Sequence, residues 1–209
     1  SQIEIPVRVT YIAYDAFSIS GIVDKKLSKN ITEINGGTFY WCTKLKKIEI
    51  PEGVTKIGSR AFYASSLEEV SLPDSVTSIE FGAFECNLKS LELPKGLQEI
   101  GRDAFVGNTL LGEVTMNGDA PKCEEGGMFE NGPFSECAEN LTIYVPENAK
   151  GYDVKPWTNY NIIYQESYAL GDINKDSKVN MKDARTALKA AVGSETLNEE
   201  QQKLGDVDN

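Results

Sequence analysis

The stretch IPEGVTKIGSRAFYASSLEEVSLPDSVTSIEFGAF, residues 50–84, holds one phrase twice. An aliphatic residue precedes a proline, an isoleucine follows, and an Ala-Phe pair closes the phrase. The first copy is Ile50-Pro51, Ile57 and Ala61-Phe62; the second is Leu72-Pro73, Ile79 and Ala83-Phe84. The phrase continues outward on both sides. Isoleucines stand at Ile12, Ile34, Ile57, Ile79 and Ile100, and phenylalanines at Phe17, Phe39, Phe62, Phe84 and Phe105, each series with steps of 22, 23, 22 and 21 residues. Ile5–Phe17 aligns with Ile50–Phe62 without a gap. A fixed period of this length is the signature of a solenoid. A unit so short cannot bury its own apolar side chains, so it stacks on its neighbours.

Within one unit the apolar positions are Leu45, Ile48, Ile50, Val54, Ile57 and Phe62. Residues 45–50 end in the period-2 alternation of a half-buried strand. Pro51 then stops pairing, because it has no N–H to donate. Residues 54–57 are a second short strand, and Gly58 and Gly101 mark a turn before Ala-Phe. The expectation is a mostly-β solenoid with the repeat isoleucines and phenylalanines buried in ladders. Residues 117–165 depart from the period but keep a strand-like run, Leu141 to Val145, before Pro146. Cys123–Trp157 reads as a degenerate final repeat and cap, which a solenoid needs to seal its last apolar face.

The residue 50–84 phrase resembles the BspA-like, Phe-containing subclass of leucine-rich repeats, over roughly residues 3–165. The resemblance implies a leucine-rich-repeat solenoid that presents a binding surface. It says little of what is bound, because function resides in sites rather than in folds.

The formal charge of −11 removes the cationic field that nucleic acids require, so no nucleic-acid partner is expected,. The chain has no histidine. That excludes Ser-His and Cys-His nucleophile pairs, His-ligated zinc and the commonest proton carrier near neutral pH. The chain is therefore read as no enzyme. No apolar run is long enough for a transmembrane segment. The sequence opens in mid-repeat, so an export signal ahead of Ser1 is compatible with secretion. Cys42 and Cys86, three and two residues after a repeat phenylalanine, read as one slot filled by small buried thiols,. Cys123 and Cys137 flank an irregular loop, where a disulfide and free thiols are both open readings.

A second pattern lies near the C-terminus. Asp172, Asn174, Asp176, Lys178, Asn180 and Asp183 occupy positions 1, 3, 5, 7, 9 and 12 of a 12-residue loop,. Oxygen ligands at that spacing curl around one hard cation, with Lys178 lending its backbone carbonyl and Asn180 acting through water. Ser177 replaces the usual glycine, and Asp183 the usual glutamate. Ala184, Ala187, Leu188, Ala191 and Val192 then form an apolar stripe at helical spacing,. Residues 205–208 repeat 171–174 at a distance of 34 residues, and offer only Asp206 and Asp208 as ligands of a second loop. This duplication resembles a type I-like dockerin, truncated in its second repeat. The resemblance implies a Ca2+ cofactor and a cohesin module of a scaffoldin as partner. The docking face it implies is Met181, Lys182, Arg185, Leu188 and Lys189.

The expected organisation is thus a solenoid with its cap over 1–166, and a small α-helical, EF-hand-like calcium-binding (dockerin) module over 167–209. The expected function is a non-catalytic, secreted, extracellular component of a cellulosome-like, polysaccharide-degrading complex, with the repeats recognising protein or polysaccharide. A fragment of a larger dockerin-bearing enzyme and a surface adhesion or peptidase-regulating protein are the alternatives. Tyr11, Tyr14, Tyr40, Trp41 and Tyr63 cluster in the first repeats, where they suit either sugar stacking or packing between coils. The ladder Glu49, Ser71, Glu92 and Thr115 on the first strand reads as solvated surface.

Overall fold

The computed structural model describes residues 6–23, 25–123, 132–165, 184 and 186–189. The chain divides into two compact units, Ser1–Gln165 and Glu166–Asn209. In the first, each repeat contributes two very short strands separated by a tight turn. The strands are β1 (Lys25–Lys26), β2 (Glu33–Ile34), β3 (Lys47–Glu49), β4 (Lys56–Ile57), β5 (Glu69–Ser71), β6 (Ser78–Ile79), β7 (Leu91–Leu93), β8 (Glu99–Ile100), β9 (Glu113–Met116), β10 (Lys122–Cys123), β11 (Thr142–Pro146) and β12 (Asn161–Gln165). All pairings are parallel and between successive coils. They form three sheets, β1-β3-β5, β7-β9-β11-β12 and β2-β4-β6-β8-β10. The proline after each first strand begins the turn: its carbonyl accepts from the N–H three residues on, Val54 to Pro51, Val76 to Pro73 and Leu97 to Pro94, at 3.1–3.2 Å.

The two residue series define the core. Ile34, Ile57, Ile79 and Ile100 pair in register and are fully buried, and Cys123 takes the next rung opposite Ile100. Phe17, Phe39, Phe62, Phe84, Phe105 and Phe134 stack face to face, with centroids 5.0–5.6 Å apart. Removing one such interior ring costs about 3–5 kcal/mol, because neighbouring coils cannot close the gap.

Backbone geometry around each phenylalanine repeats as well. Asp15, Gly37, Arg60, Gly82, Asp103 and Gly132, two residues before the ring, are left-handed, as are Ile19, Trp41, Ala64, Gly107 and Glu136, two residues after it. Left-handed residues at these two places aim alternate N–H groups along the solenoid axis. Arg60, Phe62 and Ala64 donate to Phe81, Ala83 and Glu85 carbonyls of the next coil at 2.7–2.9 Å. Left-handed backbone costs a non-glycine residue about 1–2 kcal/mol, and the inter-coil hydrogen bonds offset it.

Gly58 and Gly101 open the expected turn, their carbonyls accepting from Ala61 and Ala104 N–H at 3.1 and 3.2 Å, and they also serve closeness. A Cβ on Gly101 would sit 2.4 Å from Phe81 N and 2.6 Å from Glu80 C, and one on Gly58 would sit 2.5 Å from Gly36 N. Adjacent coils touch backbone to backbone there.

In the segment that departs from the period, described over 117–123 and 132–165, the stack continues. Phe134 continues the ring stack, and its N–H donates to the Tyr160 hydroxyl at 3.2 Å, where earlier coils offer a carbonyl. Trp157 is 1% exposed and meets Tyr152 edge-on at 5.4 Å. The cysteines fall into slots differing from those expected. Cys42 and Cys137, each three residues after a phenylalanine, donate Sγ–H to the Phe17 and Phe105 carbonyls of the preceding coil at 3.1 and 3.2 Å. Cys86 stands apart, bonded to the Phe84 carbonyl of its own coil. All four thiols are free. Burial pushes Cys86, Cys123 and Cys137 up to about 12, which keeps them protonated and unreactive,.

The expected fold class needs one correction. The fold is a mostly-β solenoid, and among the described residues α-helix amounts to one short stretch, too little for a distinct EF-hand-like or dockerin module. Its described residues are 184 and 186–189. The apolar stripe thus does coincide with helix where it is described. Leu188, its largest described member, is 63% exposed, and Ala184 is exposed too.

Candidate recognition surface

The outer face of the first-strand sheets alternates charge by coil. Lys47 pairs with Glu69 at 2.5 Å, and Glu68 is held between Lys46 and Lys89. Hydrogen bonds from Lys46, then from Lys89, bring the Glu68 carboxyl down to about 2. Glu49 and Ser71 lie side by side in register, as do Glu92 and Thr115. Glu49, Ser71 and Glu92 are exposed and Thr115 half-buried, which agrees with a solvated face.

The turn around the phenylalanines is different. Tyr40 and Tyr63, one residue after their phenylalanines, stack at 5.2 Å and 6°, so these two rings do pack between coils. The row extends on both sides. Trp41 meets Tyr40 edge-on at 6.1 Å. The Arg60 guanidinium lies 5.8 Å from the Tyr63 ring and 5.3 Å from Phe81, and Arg102 lies 5.1 Å from Phe81 on its own account. Arg60 is exposed and forms no ion pair among the described residues. Such cation–π contacts hold an Arg in place while leaving its N–H fork available. Burial raises the Glu85 carboxyl beside this row, although Tyr63 hydrogen-bonds to it.

Other aromatic residues of the first coils are largely exposed even where they touch a neighbour, as Trp41 touches Tyr40. Tyr11 is 63%, Tyr14 67% and Trp41 52% exposed, and Ile19, whose N–H bonds to the Tyr40 carbonyl beside Trp41, is 74% exposed. Such grouped exposure is unusual on a folded surface and marks a contact site. The sequence signal for it was the aromatic cluster itself. Arg60 and Phe81 were missed because their relation to Tyr63 depends on the coil-to-coil register.

Most residues expected to bind calcium or a partner, namely Asp172, Asn174, Asp176, Lys178, Asn180, Asp183, Asp206, Asp208, Met181, Lys182 and Arg185, lie outside the described residues. Leu188 and Lys189 are described and exposed. Among the described residues no group of His, Cys, Asp or Glu could hold a metal ion. No helix among them is long and apolar enough to cross a membrane.

Parallel two-strand coils, an isoleucine ladder and a phenylalanine stack define a leucine-rich-repeat solenoid. The chain belongs to the family of the BspA type Leucine rich repeat region, which matches in six copies over residues 1–85 and 55–167. A leucine-rich repeat protein from Bacteroides ovatus ATCC 8483 has a similar structure, with TM-score 0.54 and 30% identity over 71% of this chain and 40% of that one. The chain thus spans well under half the length of that relative. The T. pallidum Leucine Rich Repeat protein shares the fold at TM-score 0.57 and 21% identity, over 90% of this chain and 95% of that one. The Pneumococcal vaccine antigen PcpA aligns at TM-score 0.49 and 25% identity, over 69% and 42% of the two chains. The comparison with curated proteins gives no match. Leucine-rich-repeat solenoids of this family are typically non-catalytic. The family match ends at residue 167, and the comparisons lend no support to the expected dockerin, cohesin partner or cellulosome-like complex.

Proposed function

We propose that the array is a secreted, extracellular protein-recognition module whose contact surface is the aromatic edge of its first coils. The observation that carries this reading is the exposure of Tyr11, Tyr14, Ile19 and Trp41 in the first coils, with Trp41 in ring contact with Tyr40 of the Arg60-bearing aromatic row. Trp, Tyr and Arg dominate binding energy at protein interfaces, because they bury large areas at small entropic cost. Arg60 supplies a directional partner for a carboxylate. The test is capture from panels of extracellular proteins and of polysaccharides by the wild type and by Trp41→Asn and Arg60→Gly. Both replacements suit the left-handed backbone at these positions. The expected result is a protein ligand whose affinity drops at least tenfold in each variant. Capture of polysaccharide alone, or equal capture by all three proteins, refutes the reading.

A separate proposal concerns the loop at 172–183, supported by its ligand spacing alone. One Ca2+ binds through Asp172, Asn174, Asp176, the Lys178 carbonyl and Asp183, with Asn180 reached through water. Calorimetric titration with calcium should show one site that Asp172→Ala abolishes; absence of binding heat in the wild type contradicts it.

A further inference from the structure

Glu85 stands where the aromatic row would place its next ring. It follows Phe84 by one residue, as Tyr40 follows Phe39 and Tyr63 follows Phe62. These slots lie rung on rung: Trp41 N–H donates to the Tyr63 carbonyl at 2.8 Å, and Ala64 N–H to the Glu85 carbonyl at 2.7 Å. Tyr40 and Tyr63 fill their slots with rings 5.2 Å apart. Glu85 puts a carboxyl on the following rung, and the Tyr63 hydroxyl donates to it. A Cβ on Gly107 would meet the Glu85 Cγ at 3.7 Å, so the next coil packs close against this side chain, which is half-buried. Tyr63 therefore carries Arg60 over its ring at 5.8 Å and Glu85 at its hydroxyl.

Four groups act on the Glu85 carboxyl besides its own burial. The Tyr63 hydrogen bond and the Arg60 charge favour the ionised form, and Glu136 and Asp103 oppose it. Glu136 is exposed. Asp103 is buried; one of its carboxyl oxygens has no hydrogen-bond partner, and the other lies 3.7 Å from Arg102 Nε. Burial is the largest influence, and the balance lifts the Glu85 carboxyl above its usual 4.5,. We propose that Glu85 is a protonation switch on the contact surface, which opposes an anionic partner group at Arg60 when ionised and admits it when neutral. This rests on the reading of Arg60 as a partner contact. Ionised Glu85 offsets the Arg60 charge and repels an incoming anion, whereas the neutral acid does neither. Partner binding tightens as pH falls, and by linkage a bound anion raises the Glu85 carboxyl further.

The test uses the full 209-residue chain, isotope-labelled in its glutamate and arginine side chains for NMR, with p-toluenesulfonate as the probe. The probe has a ring to meet exposed tyrosine and tryptophan, and a sulfonate that stays ionised throughout the titration. At about 0.15 M salt, charges more than about 8 Å away are largely screened. Probe affinity, read at the Arg60 Nε–H signal, should rise several-fold between about pH 7 and about pH 4.5, a range in which an ordinary glutamate stays mostly ionised. Its midpoint should coincide with that of the Glu85 carboxyl signal. Glu85→Gln, which leaves Tyr63 a neutral acceptor, should bind at neutral pH as the wild type does in acid and lose most of the pH dependence. Binding at Arg60 with the same pH dependence in both proteins, or a wild-type Glu85 midpoint at or below 4.5, overturns the switch and leaves the contact reading standing. No response of Arg60 to the probe at any pH overturns both. The wild-type Glu85 titration decides the question even where the variant fails to fold.

Discussion

The opening coil and the closing coil of the array obey the repeat to opposite degrees. The opening coil matches the interior phrase without a gap, yet its surface is the more apolar. Ala16 is exposed and Phe17 half-buried, where their counterparts Ala61 and Phe62 are fully buried. The closing coil abandons the period, yet Trp157, Tyr152 and Phe134 are all buried. The repeat phrase therefore specifies where a side chain points, while burial is supplied by the coil stacked over it. Sealing requires residues outside the phrase, such as the Tyr160 hydroxyl standing in for a carbonyl.

The largest expected effect sets interior against edge. Phe62→Ala should destabilise the array by about 3–5 kcal/mol, and Phe17→Ala, which loses only part of its burial, by about 1 kcal/mol. Denaturant unfolding of the two variants measures the difference. Equal losses would show that the opening coil is as well covered as the interior.

Gly101→Ala comes next, at about 1–3 kcal/mol, the usual range for overpacking. The added carbon meets backbone atoms of Glu80 and Phe81, which cannot swing away. A thermal shift within error would mean that the coils are less tightly apposed than 2.4 Å implies. The same substitution at Gly53, where a Cβ meets nothing but φ is +97°, separates crowding from backbone strain.

These contrasts show what the sequence could and could not reveal. The period placed Ile57 and Phe62 in the core because each recurs with its whole phrase, whereas Phe134 continues the ring stack outside that period. The pairing of Cys42 with Cys137 as equivalent slots was hidden, because the step from Phe105 to Phe134 breaks the count. Arg60 was hidden for a related reason: its partners Tyr63 and Phe81 belong to one turn and its neighbour. The C-terminal stripe did mark helix, at 184 and 186–189, but helix alone did not make the expected calcium-binding module. Leu188 is largely exposed.

A smaller effect concerns charge. The Glu68 carboxyl, held down to about 2 from 4.5 by Lys46 and Lys89, favours the folded state above its unfolded value and loses that contribution as pH falls from 4.5 toward about 2,. Unfolding midpoints of the wild type and Glu68→Gln should thus converge over that acid range and differ above it. A gap that stays constant with pH would show that the ion pairs on the strand face are not formed in solution.

The smallest expected effect tests the central claim, that the aromatic edge of the first coils is free of structural duty and kept for contact. It is the urea-unfolding free energy of the Tyr14→Ser, Trp41→Asn double variant. The account predicts a change within about 0.5 kcal/mol, as for exposed surface positions. A loss above about 2 kcal/mol would show that these rings hold the coils together, and would remove the recognition surface proposed for them.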